Sequence, residues 1–286
     1  MPGLAPALVV ACGAALAWSL FDLVRRFLSR RLSAWSLVVW ITLPALPIAA
    51  AWGVVADDWR LEPGYLVPGV ASTVINVVAN YLYFRSFQLS PLSVTLPMLS
   101  LTPVFSTLFG AVVLGEPLVP RALAGIACVV FGAFRLSTGG GRALAARVEP
   151  GSLLMALVAL CWSATLLLDK LALGHASAPV HTLVVHAGVA AAGCAILAAR
   201  GRLGELAVTR ASGLLLAAAP LVGVGAFGAQ LYAIQALPIG LVETLKRGVG
   251  GVLAVTWGRL FFDEAVTAGK LLAIAFLVAG VGLILL

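Results

Sequence analysis

The chain has 286 residues, 62% hydrophobic and 10% charged, with a mean hydropathy of +1.10 and a net charge of +7. A water-soluble domain carries about a quarter charged residues, so this composition excludes one. The basic excess does not mark nucleic-acid binding either, because the cations sit at the ends of long apolar runs, where they flank membrane spans.

Hydropathy and Pro/Gly punctuation predict an all-α, polytopic membrane protein with ten transmembrane helices. The first, Ala5 to Val24, lacks a basic leader and has the length of a span, so it reads as retained and not as a cleaved signal. Four more follow at Ala34 to Val55, Gly64 to Phe87, Pro91 to Leu114 and Ala122 to Leu136. A polar joint from Ser137 to Gly151, with Gly139-Gly140-Gly141, then interrupts the chain at its midpoint. The second set comprises Ser152 to Leu173, Val180 to Ala199, Gly213 to Leu237, Ile239 to Phe262 and Thr267 to Leu286. Cys12, Cys128, Cys161 and Cys194 each lie inside an apolar run without paired spacing, and read as small buried hydrophobes. No metal site and no cofactor are expected.

The two sets repeat. Trp18-Ser19 recurs as Trp162-Ser163, 144 residues on, and Arg26 meets Lys170 at the same offset. Glu116 meets Glu264 and Gly132 meets Gly280 at an offset of 148. This divides the chain into a five-helix repeat over 1–137, a linker over 138–150 and a second repeat over 151–286. Five passes is an odd number, so the second repeat enters the membrane from the opposite side. Inverted repeats of this kind build alternating-access transporters with a site near the midplane. Positive-inside logic places the odd-numbered loops, with twelve Lys and Arg residues against three, in the cytoplasm and both termini outside.

Lys246 and Arg247 lie in the middle of the ninth span, where hydrocarbon cannot solvate them. Such cations face a bundle interior or a water-filled cavity. Glu243 lies three and four residues earlier on the same face, and neutralises at most one of them by sequence reach. The competing reading is a Glu243–Arg247 pair that only pins the helix. Thr244 adjoins this stripe, and Gly250 and Gly251 suit close helix packing. In the third span Ser72, Asn76, Asn80 and Tyr83 share one helical face, fit to bind a polar solute or to join helices. Gly228, Tyr232 and Gln235 form the counterpart face in the eighth span, with Gln230 off it. Trp18 and Trp162 read as pathway walls. Asp22 and Asp169 read as partners of the adjacent Arg25-Arg26 and Lys170. His186 is a candidate proton carrier or a packing histidine. Pro97 and Pro103 are expected to kink the fourth span.

The paired Trp-Ser, the Phe109-Gly110-Ala111-Val112-Val113-Leu114-Gly115-Glu116 stretch and its counterpart Gly258-Arg259-Leu260-Phe261-Phe262-Asp263-Glu264 resemble the EamA family of the drug/metabolite transporter superfamily. Leu245-Lys246-Arg247, with the Gly-rich run and Phe261-Phe262 beyond, is similar to the ninth span of the organic-phosphate translocators. That resemblance implies an adjacent Lys-Arg pair contacting a substrate phosphate. Family habit also implies cytoplasmic termini, against the charge count of this chain.

These readings point to a secondary transporter in the inner (plasma) membrane and not to an enzyme. Its solute is a small polar metabolite bearing a carboxylate or phosphate, bound by Lys246, Arg247, Glu243, Asn76, Asn80, Tyr83, Trp18, Trp162, Thr244 and Tyr232. Export of neutral or zwitterionic metabolites and flipping of a lipid-linked phosphate stay open. So do proton coupling or exchange, and a monomer or homodimer.

Overall fold

The computed structural model describes residues 4–28, 32–89, 96–137, 150–207, 213–263 and 265–285. Residues 138–149 of the expected linker, Arg30, Arg31, Arg142, Arg147, Arg210 and Glu264, and the side chains of Arg26, Pro97 and Phe262 lie outside the described residues.

Eleven α-helices make up the described part: α1 (Leu4–Leu28), α2 (Ala34–Thr42), α3 (Ala45–Ala56), α4 (Leu66–Leu89), α5 (Thr102–Leu114), α6 (Pro120–Ser137), α7 (Pro150–Ala172), α8 (Ala178–Ala199), α9 (Gly213–Ala236), α10 (Ile239–Phe262) and α11 (Ala268–Leu285). With α2 and α3 counted as one pass, these are ten passes in two sets of five. Six passes are long and apolar enough to cross a membrane by themselves. The stretches Met98–Leu114 and Ala268–Ile284 are apolar but shorter, and α10 is interrupted by its charged residues.

Two proline effects differ from expectation. The second span is not continuous: Pro44, which has no N–H to donate, stands at the N-cap of α3 and separates it from α2. In the fourth span Pro103 does not kink a helix but occupies its first turn, after a 3₁₀ segment over Leu96–Leu101. An N–H there would have no intrahelical acceptor, so proline costs nothing.

The polarity of the bundle suits lipid. Val9, Val55, Val112 and Leu214 are among the large apolar side chains left exposed on the outside, while Ser36, Ser72, Thr102, Ser106 and Thr244 are fully buried. Apolar groups outside and hydroxyls at helix contacts are the arrangement hydrocarbon favours. An interhelical hydroxyl bond there contributes about 0.6 kcal/mol.

The repeat is physical as well as sequential. A Cβ on Gly132 would meet the Ala273 carbonyl at 2.8 Å and the Leu277 nitrogen at 3.0 Å; one on Gly280 would meet the Gly125 carbonyl at 2.7 Å and the Val129 nitrogen at 2.9 Å. Gly280, Ala273 and Leu277 are the residues 148 positions beyond Gly132, Gly125 and Val129. Helices α6 and α11 therefore touch backbone to backbone across a pseudo-two-fold axis. Helix ends repeat likewise: Gly115 (φ 66°) and Asp263 (φ 51°) close α5 and α10 in the left-handed region, bonding back to Gly110 and Gly258. Helix pairing follows the same exchange. α4 packs on α7 as α9 packs on α1, α1 on α10 as α7 on α5, and α6–α11, α5–α10 and α2/α3–α8 pair across the axis. An odd number of passes per half sets that axis in the membrane plane.

Connections also pair across the halves. On one face the 57–62 connection is stitched to 173–177: Arg60 Nη1 donates to the Gly174 carbonyl (2.9 Å) and Nη2 to those of Leu173 (2.9 Å) and Ala176 (3.1 Å). Leu61 bridges Ala176, and Ser177 donates its N–H to Arg60 and its hydroxyl to Asp58. On the other face Ser33 Oγ donates to Glu205 and Trp40 Nε1 to the Leu206 carbonyl.

Candidate functional site

Glu243, Lys246 and Arg247 occupy one face of α10 at spacings of three and four. Glu243 is 3% exposed, and its two oxygens are shared: Oε2 accepts from Lys246 Nζ (2.5 Å) and Oε1 from Arg247 Nε (2.9 Å). The expectation that one cation would lack a partner within sequence reach is thus corrected. One carboxylate serves both, because its two oxygens point to either side of the stripe. The trio retains one positive charge.

Each cation also reaches a second helix. Arg247 Nε donates to Thr102 Oγ1 (2.9 Å) at the start of α5, in the other half. The Thr102 carbonyl in turn accepts from Ser163 Oγ (3.1 Å) of α7. Lys246 Nζ donates to Gln230 Oε1 (3.0 Å) on α9 and lies 5.2 Å from the Trp18 ring centroid. Helical spacing alone leaves Gln230 off the eighth-span stripe. The signal that finds it is hairpin register: Gln230 and Lys246 are each eight residues from Pro238, at the turn between α9 and α10. Tyr232, favoured from the sequence, is half exposed and packs on Trp52 instead.

An arc of rings continues from Lys246 around the seam. Trp18 meets Phe21 edge-on at 5.6 Å, and Arg25 lies over Phe21 at 4.9 Å and over Tyr83 at 5.8 Å. Tyr83 meets Trp162 at 5.3 Å. Arg25 is paired with Asp22, as its spacing suggested, and the Asp22 side chain is 57% exposed. Trp18, Trp162, Tyr83, Lys246 and Arg247 thus belong to one connected surface contributed by both halves. The two Trp-Ser pairs act alike: Ser19 accepts from Trp257 Nε1 of α10 (3.0 Å) as Ser163 reaches α5. Trp162 packs in the cluster that holds Met98, the counterpart of Lys246, so the repeated surface carries a cation in one half and a thioether in the other.

The remaining candidates are more local. Asn76 and Asn80 donate to the carbonyls one turn back, Ser72 and Asn76 (3.2 and 2.8 Å). Thr244 is fully buried and bonds the Gly240 carbonyl. His186 donates to the Thr182 carbonyl, and its ring stands 5.6 Å from Phe227. Asp169 does not pair with Lys170. It bonds Ser72 and His181, whereas Lys170 Nζ crosses to Glu116 Oε1 (2.7 Å) and the Leu237 carbonyl (2.8 Å). Asp169 is buried and Lys170 part-buried, and successive residues of a helix point apart and find different neighbours. A recess of about 480 Å³ lies between Met98 and Leu101 on one side and Ala127 to Phe134 on the other, and carries no charged side chain.

Known proteins agree with this arrangement of two halves. The EamA-like transporter family profile matches residues 5–138 and again 149–286. The chain belongs to the EamA-like transporter family. It is therefore a multi-pass membrane transporter of small molecules. One protein of known crystal structure superposes with a TM-score of 0.82 over 98% of both chains at 19% identity, a likeness of fold. No curated protein matches the chain.

Proposed function

We propose that this transporter moves a small polar metabolite bearing a carboxylate or phosphate across the plasma (inner) membrane by alternating access. The observation that carries this reading is the division of one carboxylate, Glu243, between two cations, Lys246 and Arg247. One positive charge is left over beside an aromatic wall, and in a water-poor cavity it is best matched by an anion. Arg247 offers a planar fork for two oxygens, and Lys246 adds a point charge. Trp18, Tyr83 and Trp162 would cover the apolar part of the solute, with Asn80 and Asn76 about one and two turns along α4 from Tyr83. Rocking of the halves would open the seam to each side in turn.

Uptake by proteoliposomes of a mixed metabolite pool, identified by mass spectrometry, tests the reading. Retained species should bear an anionic group, and selective retention of neutral species would overturn it. A second reading, transport of zwitterionic metabolites such as amino acids, is favoured by the presence of both signs on the same surface, with Asp22 beside Arg25 and Glu243 beside Lys246. The same assay separates the two by whether retained species carry an ammonium as well.

A further inference from the structure

Away from that surface, four polar side chains are buried together where α4, α7 and α8 meet. Asp169 (2% exposed) accepts at Oδ1 from Ser72 Oγ and lies 3.0 Å from Nε2 of His181, which is fully buried. Tyr65 OH lies 2.9 Å from His181 Nδ1. Tyr65 and Ser72 belong to the first half, Asp169 and His181 to the second, so the cluster straddles the seam. It also lies directly beneath the Arg60 clasp: Tyr65 follows the 57–62 connection, and Asp169 and His181 flank 173–177.

Two protonation states satisfy every bond of this cluster. If Tyr65 donates to Nδ1, the imidazole is neutral, donates from Nε2 to Asp169, and the cluster carries one negative charge. If His181 takes a further proton at Nδ1, it donates from both nitrogens, Tyr65 becomes the acceptor, and the charge is cancelled. The partners described for Asp169 include no fixed cation, so the first state buries an uncompensated carboxylate and the second does not.

The surroundings do not supply that charge. On α7, Lys170 is engaged by Glu116; on α8, His186 is bonded to the Thr182 carbonyl. From α9, Phe227 faces His181 at 6.1 Å. At the membrane face Arg60 is spent on carbonyls and on Glu62, His175 stands 3.5 Å from Glu62, and Asp57 and Asp58 end α3.

We propose that Asp169, His181 and Tyr65 form a proton-binding site, and that uptake of one proton at His181 favours the closed clasp on this face. The link is thermodynamic: a proton bound more tightly by the closed arrangement stabilises that arrangement as pH falls. Loss of the proton as pH rises leaves a bare carboxylate at the seam and favours separation of the halves there. The site gives the transporter a means of coupling to a proton gradient. It rests on the transporter reading but not on the charge of the solute.

Hydrogen–deuterium exchange in lipid nanodiscs tests it with pH as the only probe. After correction for intrinsic exchange, protection of 57–66 and 173–182 should rise about tenfold between pH 8 and pH 5.5. Asp169→Asn and His181→Gln should each flatten that response. His175→Gln should leave it, and Tyr65→Phe, which cannot accept from Nδ1, should shift it to lower pH. A flat profile in the unsubstituted protein, a response surviving in Asp169→Asn, or one lost in His175→Gln would overturn the proposal. If Asp169→Asn and His181→Gln fail to fold, an unmoved profile in Tyr65→Phe overturns it instead. Failure of anion uptake would leave this readout untouched.

Discussion

Asp169 and Lys170 are neighbours in sequence, yet Asp169 bonds Ser72 and His181 while Lys170 bonds Glu116 and the Leu237 carbonyl. The second arm ties three elements together. Glu116 Oε2 also accepts from the Ile239 N–H, so one carboxylate holds the end of α5, the end of α7 and the turn between α9 and α10. Lys170→Met and Glu116→Gln should each lower stability by about 1–3 kcal/mol, because each leaves a part-buried polar partner unmade. A double-mutant cycle on thermal unfolding in detergent should give a non-additive pair; strict additivity would show that the pair is not coupled.

At the charged surface, Arg247→Ala and Lys246→Ala should each reduce uptake of an anionic probe at least about tenfold with the protein still inserted and folded. Glu243→Gln should act differently. It leaves two cations facing a neutral amide, so stability falls, by about 2 kcal/mol given their partial exposure, while uptake per folded molecule persists. Normal uptake in both cation variants together with misfolding of Glu243→Gln would identify a purely structural ion trio.

Close packing at the axis is also open to test. Gly280→Val should destabilise by about 1–3 kcal/mol, since its Cβ would meet the Gly125 carbonyl and Val129 nitrogen, backbone atoms that cannot rotate away. Gly282→Val, with nothing within 4 Å, should be close to neutral. Thermal unfolding of the two variants side by side decides the matter, and equal effects would contradict the observed contact.

Glu205 lies in the connection after α8, outside the spans. The Ser33 hydroxyl, then Arg202, holds its carboxyl below the ordinary glutamate value. A carboxyl lowered by folding stabilises the contact above the unfolded value and loses that contribution as pH falls through the folded one. The 33–36 to 205–206 contact should therefore loosen only under acid conditions. Ser33→Ala should raise the Glu205 titration midpoint towards normal in carbon-13 NMR of labelled glutamate.

The chain's own charge bias predicts termini on the outer side. A reporter that requires export, fused after Leu286, should be active, and one that requires the cytoplasm should be silent. The reverse pattern would restore the orientation implied by family resemblance.

Much of this architecture was legible because membrane spans are written in long apolar runs. The ninth span, Ile239 to Phe262, coincides with α10 to the residue, bounded by Pro238 and by Asp263. Hydropathy does not register a missing N–H, so the break at Pro44 is hidden inside one apolar run, and the role of Pro103 depends on where its helix starts, which an apolar run does not mark. For the charged surface, periodicity within α10 gathered Glu243, Lys246 and Arg247. It cannot report that the carboxylate is divided or that Arg247 crosses to Thr102. Those facts depend on packing between helices, as does the separation of Asp169 from Lys170.

Met98 and Leu99 stand 148 residues before Lys246 and Arg247, so the first half holds apolar residues where the second holds both cations. In a pair of identical inverted halves, the conformation open to one side and the conformation open to the other would be the same structure with the halves exchanged, and equal in energy. Placing both cations in the second half lifts that degeneracy. If the halves rock as proposed, the empty carrier would have an intrinsic preference for facing one compartment, and an anion bound at Lys246 and Arg247 would change that preference by neutralising the charge that set it.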